Sequence, residues 1–290
     1  MVPPKVAASN TKADCRLNGV LVVGASGRVG QMLARAWDAM GLRPTLQHRG
    51  PQMQTRLPQL QWSPLVEPLG QTETFSAMIV LAGTVPGKGD LSANSAIATA
   101  CLCAARAAQI ETVLIASSSA VYGANDGTPF LETDVAAPIN DYGRAKLAME
   151  AACDPWRDQG LKVCALRIGN VAGADALLLN AGSGRPVLVD QFADRTGPVR
   201  SYIGPLSLAR ALAELTTQSL PAVLNVAAAD PVAMADLAQC SGADWAWRAA
   251  PATAQQRITL NCQRLAQHVD MAAMAVSAAE MVVEWQSVRG

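Results

Sequence analysis

The sequence predicts an α/β protein, a doubly wound parallel sheet followed by a smaller mixed C-terminal lobe that would carry the substrate. Two observations lead there. From Val20 to Ile168 short apolar runs bounded by turn residues alternate with longer helical patterns. The runs are rich in Val, Ile and Leu instead of alternating apolar with polar, as strands covered on both faces must be.

In order, the first unit reads as strand "VLVV", a helix from about Val29 to Met40, strand "TLQ" and strand "MIVLA". A helix from about Asn94 to Ala108, strand "TVLIAS", a helix from Tyr142 to Arg157 and strand "KVCALRI" follow. After Gly169 the texture changes to a Gly- and Pro-punctuated stretch through Pro205. A helix from about Ser207 to Gln218, a short strand "VLNV" and helices up to "MVVEWQSV" come next. The expected division is therefore a loose tail over 1–19, a dinucleotide-binding domain over 20–169, and a substrate lobe over 170–290 with some elements free to rejoin the main sheet.

Composition narrows the partners. The 290 residues are 50% hydrophobic and 16% charged, with 23 basic side chains against 23 acidic ones. That composition argues against disorder and against nucleic acid or a membrane surface held by charge, so a small molecule is the expected partner. Seven cysteines, an odd number scattered through apparent helices and strands, suggest a reducing compartment and no disulfide framework. His48 and His268 offer no familiar zinc spacing with them, so no metal is expected. The opening residues lack the apolar core of a secretion signal, and no run reaches spanning length without a charge or proline; a cytoplasmic location is expected.

"VLVVGASGRVGQMLARAW" sets Gly24, Gly27 and Gly30 after a strand and at the mouth of a helix, with Arg28 and Val29 inside the turn. Glycine permits a tight turn and close backbone approach, and the helix N-terminus attracts an anion, so the stretch suits a dinucleotide pyrophosphate in a Rossmann-like sheet. An NAD site usually ends its second strand with an acid. "TLQHRG" offers His48 and Arg49 instead, and an arginine there can hold a 2′-phosphate, which leans the cofactor to NADP with NAD as the alternative. An ordinary strand-to-helix turn and a solvated loop cation are the plainer accounts.

"DYGRAKLAME" places Tyr142 and Lys146 four residues apart, stacked on one helix face if both are helical. An adjacent cation lowers a tyrosine from its ordinary value near 10, so Lys146 is expected to bring Tyr142 toward neutrality. Upstream, "VLIASSSAVYG" ends a strand in hydroxyls at the edge where open parallel sheets bind ligands, and a serine there could hydrogen-bond the oxygen that receives Tyr142's proton.

Together these motifs resemble the extended branch of the short-chain dehydrogenase/reductase superfamily, the NAD-dependent epimerase/dehydratase family. Beyond the glycine turn, "VLAG" at Val80–Gly83 resembles the family's fourth strand end, Asn94 the asparagine opening the next helix, and "LRIGNVAG" its "LRxxNvyG". "GPVRSYIGPLSLARAL" and the late Trp285 fit as well. The resemblance implies Tyr142 as general acid/base, Lys146 tuning it and holding the nicotinamide ribose, and Ser118 as the hydroxyl four before the tyrosine of "VYG". Leu81, Ala82 and Gly83 would line the cofactor; Ser119, Asn170 and Arg200 would face substrate, the last two at the diphosphate of a nucleotide sugar.

Departures matter too. Sugar dehydratases follow the hydroxyl with an Asp–Glu pair, where this chain has Ser119 and Ala120, so dehydration is disfavoured. The family's acid after the third strand is missing in "LQWSPL", and the loop between Gly173 and Arg185 is short. The expected function is thus an NAD(P)-dependent oxidoreductase moving hydride between nicotinamide and a carbinol or carbonyl carbon, of a nucleotide sugar among other candidates. A nucleotide-sugar 4-epimerase with retained NAD is the alternative, and a non-catalytic dinucleotide-sensing regulator the alternative of another class. "SAIATACLCAA" allows a homodimer through the helix it forms.

Overall fold

The computed structural model describes residues 17–70, 74–183 and 185–289. Most of the expected 1–19 tail lies outside them, as does Cys15. Strand β1 (Val20–Val23) turns into helix α1 (Arg28–Ala39), and β2 (Thr45–His48) and β3 (Gln59–Gln61) follow. Then come β4 (Ala77–Val80), α2 (Ala93–Ala107), β5 (Thr112–Ser118), α3 (Asp141–Ala151) and β6 (Lys162–Ile168). The strand Val223–Val226 completes a seven-stranded sheet, whose order from that strand is β6, β5, β4, β1, β2, β3. Every pairing in it is parallel. The order reverses at β1, so the carboxyl ends of β1 and β4 flank a crevice where such sheets bind ligands.

The sheet is buried on both faces because successive side chains point opposite ways. Val20, Val22, Ile79, Leu114 and Leu166 join one core with Leu33 and Trp37 of α1 and with the helices Pro205–Leu215 and Ala278–Val288. Leu21, Val23, Met78, Val80, Val113 and Ile115 join a second core with Cys101 and Leu102 of α2 and Met149 of α3. Trp37 donates its indole N–H to the Ala209 carbonyl at 3.0 Å, tying α1 to the C-terminal half.

Glu284, only 8% exposed, accepts the Ser207 backbone N–H at 2.9 Å and its hydroxyl at 2.7 Å, which caps the first turn of Pro205–Leu215. Short paired strands form the remainder: Val187–Gln191 runs parallel to Trp245–Ala249, and Asn170–Val171 parallel to Tyr202–Ile203. Val199–Arg200 lies between Val232–Ala233 and Arg257–Ile258.

The expected helix over Tyr142–Arg157 is two helices. α3 stops at Ala151 and a second short helix spans Asp154–Arg157. Pro155, which has no N–H to continue the ladder and crowds the turn before it, sits in that second helix's first turn. No helix among the described residues is long and apolar enough to cross a membrane. Among them, too, no group of three or more His, Cys, Asp or Glu side chains could hold a metal ion.

Candidate active site

The glycine turn is built for close approach. Gly24 has φ +87°, and a Cβ there would stand 2.5 Å from the Ala82 nitrogen; one on Gly30 would stand 2.5 Å from the Ala25 carbonyl oxygen. Gly27 caps α1 with extended backbone, no side chain bonds to the helix's first turn, and no acid lies in it. The first N–H groups of α1, at Arg28, Val29 and Gly30, therefore have no intrahelical acceptor, which fits a dinucleotide pyrophosphate. Leu81 and Ala82 brace the turn by donating both backbone N–H groups to the Val23 carbonyl, at 2.8 and 3.0 Å. The Arg28 side chain reaches away from the turn to the Ala174 carbonyl, 2.9 Å.

At the end of β2 it is Gln47, 2% exposed, that touches the turn, accepting the Gly24 N–H at 2.8 Å and donating to the Trp62 carbonyl. His48 is buried against the Gly50 carbonyl at 2.7 Å, and Arg49 is exposed. After β3, Glu67 returns its carboxylate to the Ser63 N–H at 3.1 Å, so an acid does stand beside the "LQWSPL" stretch, supplied from four residues further on.

Across the sheet edge, β5 ends at Ser118 and its hydroxyl accepts the Ala120 N–H at 3.2 Å. α3 starts where Asn140 accepts the Gly143 N–H at 2.8 Å, with Asp141 adding an acid to the first turn. That start sets the phenol of Tyr142 beside the Ser118 hydroxyl, whose influence opposes the effect of the phenol's burial. Lys146, 4% exposed, donates to the Ala116 carbonyl at 2.8 Å, and its ammonium lies 6.0 Å from the Tyr142 ring centroid. A Cβ on Gly83 would stand 3.3 Å from that ammonium, so the backbone after β4 passes directly over it. Asn94, fully buried, holds the same stretch by accepting the Thr84 N–H and donating to the Thr84 and Leu91 carbonyls.

The electrostatics differ from expectation. Burial raises the Tyr142 phenol above its ordinary value, with the Ser118 hydrogen bond opposing, so the expected lowering by Lys146 is not met in the chain alone. The physical reason is that the phenol is itself buried, and the ammonium beside it is buried as well. Desolvation pulls Lys146 from 10.5 to about 8, against the raising influence of Glu150.

Behind these groups lies a buried polar relay that the sequence did not disclose. Glu150 accepts the Ser117 hydroxyl at 2.5 Å and is forked by Arg167 of β6, with Nη2 at 2.8 Å. The Arg167 guanidinium stacks over the Tyr122 ring at 4.6 Å, and the Tyr122 hydroxyl donates to Asn225 at 2.7 Å. The four-residue spacing of Lys146 and Glu150 was the one signal that could have found it.

The structure thus brings Ser118, Tyr142, Lys146 and Gly83 together, with Ser119 in the turn that follows Ser118. Asn170 lies on the chain leaving β6, its N–H on the Ser201 carbonyl at 2.9 Å. Arg200 is held by backbone. Its guanidinium donates through Nη1 to the Val199 and Gln256 carbonyls and through Nη2 to the Gln255 carbonyl, at 2.6 to 2.9 Å.

A doubly wound sheet with a glycine turn and a Ser, Tyr, Lys constellation at its carboxyl edge defines a dinucleotide-dependent class of protein. The chain belongs to the NAD dependent epimerase/dehydratase family, whose model matches residues 20–194. It is 35% identical over 160 residues to a UDP-glucose 4-epimerase of Rhizobium meliloti, covering 47% of this chain and 49% of that protein. The match therefore spans about half of that relative's length. A 2'-dehydrokanamycin reductase of Streptomyces kanamyceticus is 29% identical over 72% of this chain and 62% of its own. Among solved structures, MoeE5 in complex with UDP-glucose and NAD has the same fold at TM-score 0.74 and 23% identity, covering 93% of this chain and 98% of that one. A UDP-Glc/GlcNAc 4-epimerase of Campylobacter jejuni has it at TM-score 0.76 and 17% identity, covering 93% and 98%.

Proposed function

We propose that this protein is an NAD(P)-dependent oxidoreductase acting on a carbinol or carbonyl carbon, with a nucleotide-linked sugar as the favoured substrate. The convergence of the Ser118 hydroxyl, the Tyr142 phenol and the buried Lys146 ammonium beside Gly83 carries the reading. When bound, the nicotinamide supplies or accepts the hydride. The free N–H groups of α1 hold the pyrophosphate, Ser118 orients the substrate oxygen, and Tyr142 exchanges a proton with it. Burial keeps Tyr142 protonated in the chain alone, so its resting form is the acid that protonates a carbonyl oxygen during reduction. Lys146 holds positive charge at the ribose side of the site. The short strands after Gly169 form the substrate lobe.

The specific observation favouring net reduction is the neutral Gln47 with exposed Arg49 at the end of β2, which suits NADPH. Likeness to the UDP-glucose 4-epimerases supports the other course, in which NAD stays bound and one sugar is oxidised and re-reduced. Mass spectrometry of dinucleotide released on denaturation separates them. Near-stoichiometric NAD together with interconversion of UDP-glucose and UDP-galactose supports an epimerase. An empty site that binds NADPH more tightly than NADH supports a reductase, and a site that binds neither overturns the proposal. Tight binding without turnover of any carbonyl or nucleotide sugar would instead favour a dinucleotide sensor.

A further inference from the structure

Tyr142, Lys146 and Glu150 occupy successive turns of one face of α3. Together the three meet three consecutive residues of β5. Lys146 holds the Ala116 carbonyl at 2.8 Å, Glu150 holds the Ser117 hydroxyl at 2.5 Å, and Ser118 then meets Tyr142. Glu150 is 5% exposed, and its carboxylate is closed off on the far side by Arg167, with Nε 3.1 Å from Oε1 and Nη2 2.8 Å from Oε2.

The charged and titratable groups facing Lys146 are few. α3 presents Tyr142 and Glu150; β5 presents a carbonyl and two serine hydroxyls; the connection after β4 presents Gly83 and the neutral Asn94 of α2. The turn Ser119–Val121 adds no ionisable side chain, and Arg167 of β6 reaches the lysine only through Glu150. One carboxylate is therefore the counter-charge to a buried ammonium.

We propose that Glu150 is a positioning residue that fixes the Ala116–Ser118 end of β5 against α3 and keeps Lys146 in its ammonium form beside Tyr142. The catalytic consequence rests on the oxidoreductase reading above, while the effect on the charge of Lys146 does not. A purely structural bolt between β5 and α3 has no need of charge, because a buried ion pair is often no more stabilising than an apolar pair of the same shape. Here the carboxylate lies one turn from an ammonium that pairs directly with no carboxylate among the described residues, where it offsets part of that ammonium's desolvation.

The chain has five lysines, so protein carrying ¹³C-labelled lysine gives a simple spectrum in which the signal missing from Lys146→Met identifies Lys146. Its wild-type titration is expected near pH 8. Glu150→Gln is expected to shift the midpoint downward by about 1 unit or more, the usual effect of losing a nearby opposite charge. Glu150→Asp should restore most of it. Should the single variant fail to fold with Arg167 left unpaired, Glu150→Gln combined with Arg167→Gln removes both charges and is expected to shift Lys146 in the same direction. An unchanged Lys146 midpoint in the folded neutral variants overturns the proposal. With UDP-galactose and NAD as probes, the alkaline limb of kcat/KM should move down with the lysine midpoint, and a limb that stays put overturns the catalytic half. Wild-type protein that binds no dinucleotide overturns the oxidoreductase reading instead and leaves the titration result standing.

Discussion

Lys146 shows at the scale of one residue how a site is held at a cost. Its folded-state value of about 8 lies below the ordinary 10.5, so the unfolded chain binds more protons between those two values and stability rises with pH across that window. Below pH 8 the burial penalty is fully present, about 3 kcal/mol as an upper figure from that shift. Lys146→Met is therefore expected to raise stability at pH 7 by roughly 1–3 kcal/mol, and the gain should shrink as pH rises through 8 to 10.5. Urea melts of both proteins across that range would check it, and a gain that does not fall with pH would refute it. Tyr142→Phe is expected to lower kcat by about 10²–10⁴ while leaving dinucleotide affinity within a few-fold, as measured by turnover and by calorimetry. Both residues were legible because a Tyr–Lys spacing of four is read directly from the chain. Glu150, Arg167 and Gln47 were not, because each looks like an ordinary helix or strand residue until β2, β5, β6 and α3 are assembled around it.

At the scale of elements, the alternation of apolar runs and helical patterns disclosed the sheet, since strands buried on both faces leave an unmistakable Val- and Ile-rich trace. β3 was harder: Gln59–Gln61 is half-buried at the sheet edge and carries no such trace. The break after Ala151 was readable from Pro155, which lacks the N–H that a continuous helix needs. The turn between β1 and α1 should tolerate no side chain at Gly24, where φ is +87° and Ala82 stands 2.5 Å from a Cβ. Gly24→Ala is expected to weaken dinucleotide binding by roughly tenfold or more, read by calorimetry, with loss of stability as well. Glu284→Ala would leave the Ser207 N–H and hydroxyl buried without their acceptor. Thermal and chemical melts should show a loss of about 2–4 kcal/mol, and Glu284→Gln a smaller one.

At the scale of the whole molecule, one core runs from Leu17 to Val288, through both the sheet and the helices of the C-terminal half. Unfolding is therefore expected to be a single event. Tryptophan fluorescence and far-ultraviolet circular dichroism should give coincident transitions in urea, and separated transitions would mean that the two halves are held apart more loosely than this shared core implies. The same core has a consequence for synthesis. α1 is synthesised long before the elements that cover it: its Trp37 is bonded to Ala209, 172 residues on, and its Arg35 to the Val288 carbonyl, 253 residues on. At about 5–20 residues per second, that apolar face waits roughly 10–50 s for its cover. During that interval the nascent chain is a natural client for a chaperone that binds exposed hydrophobic helices.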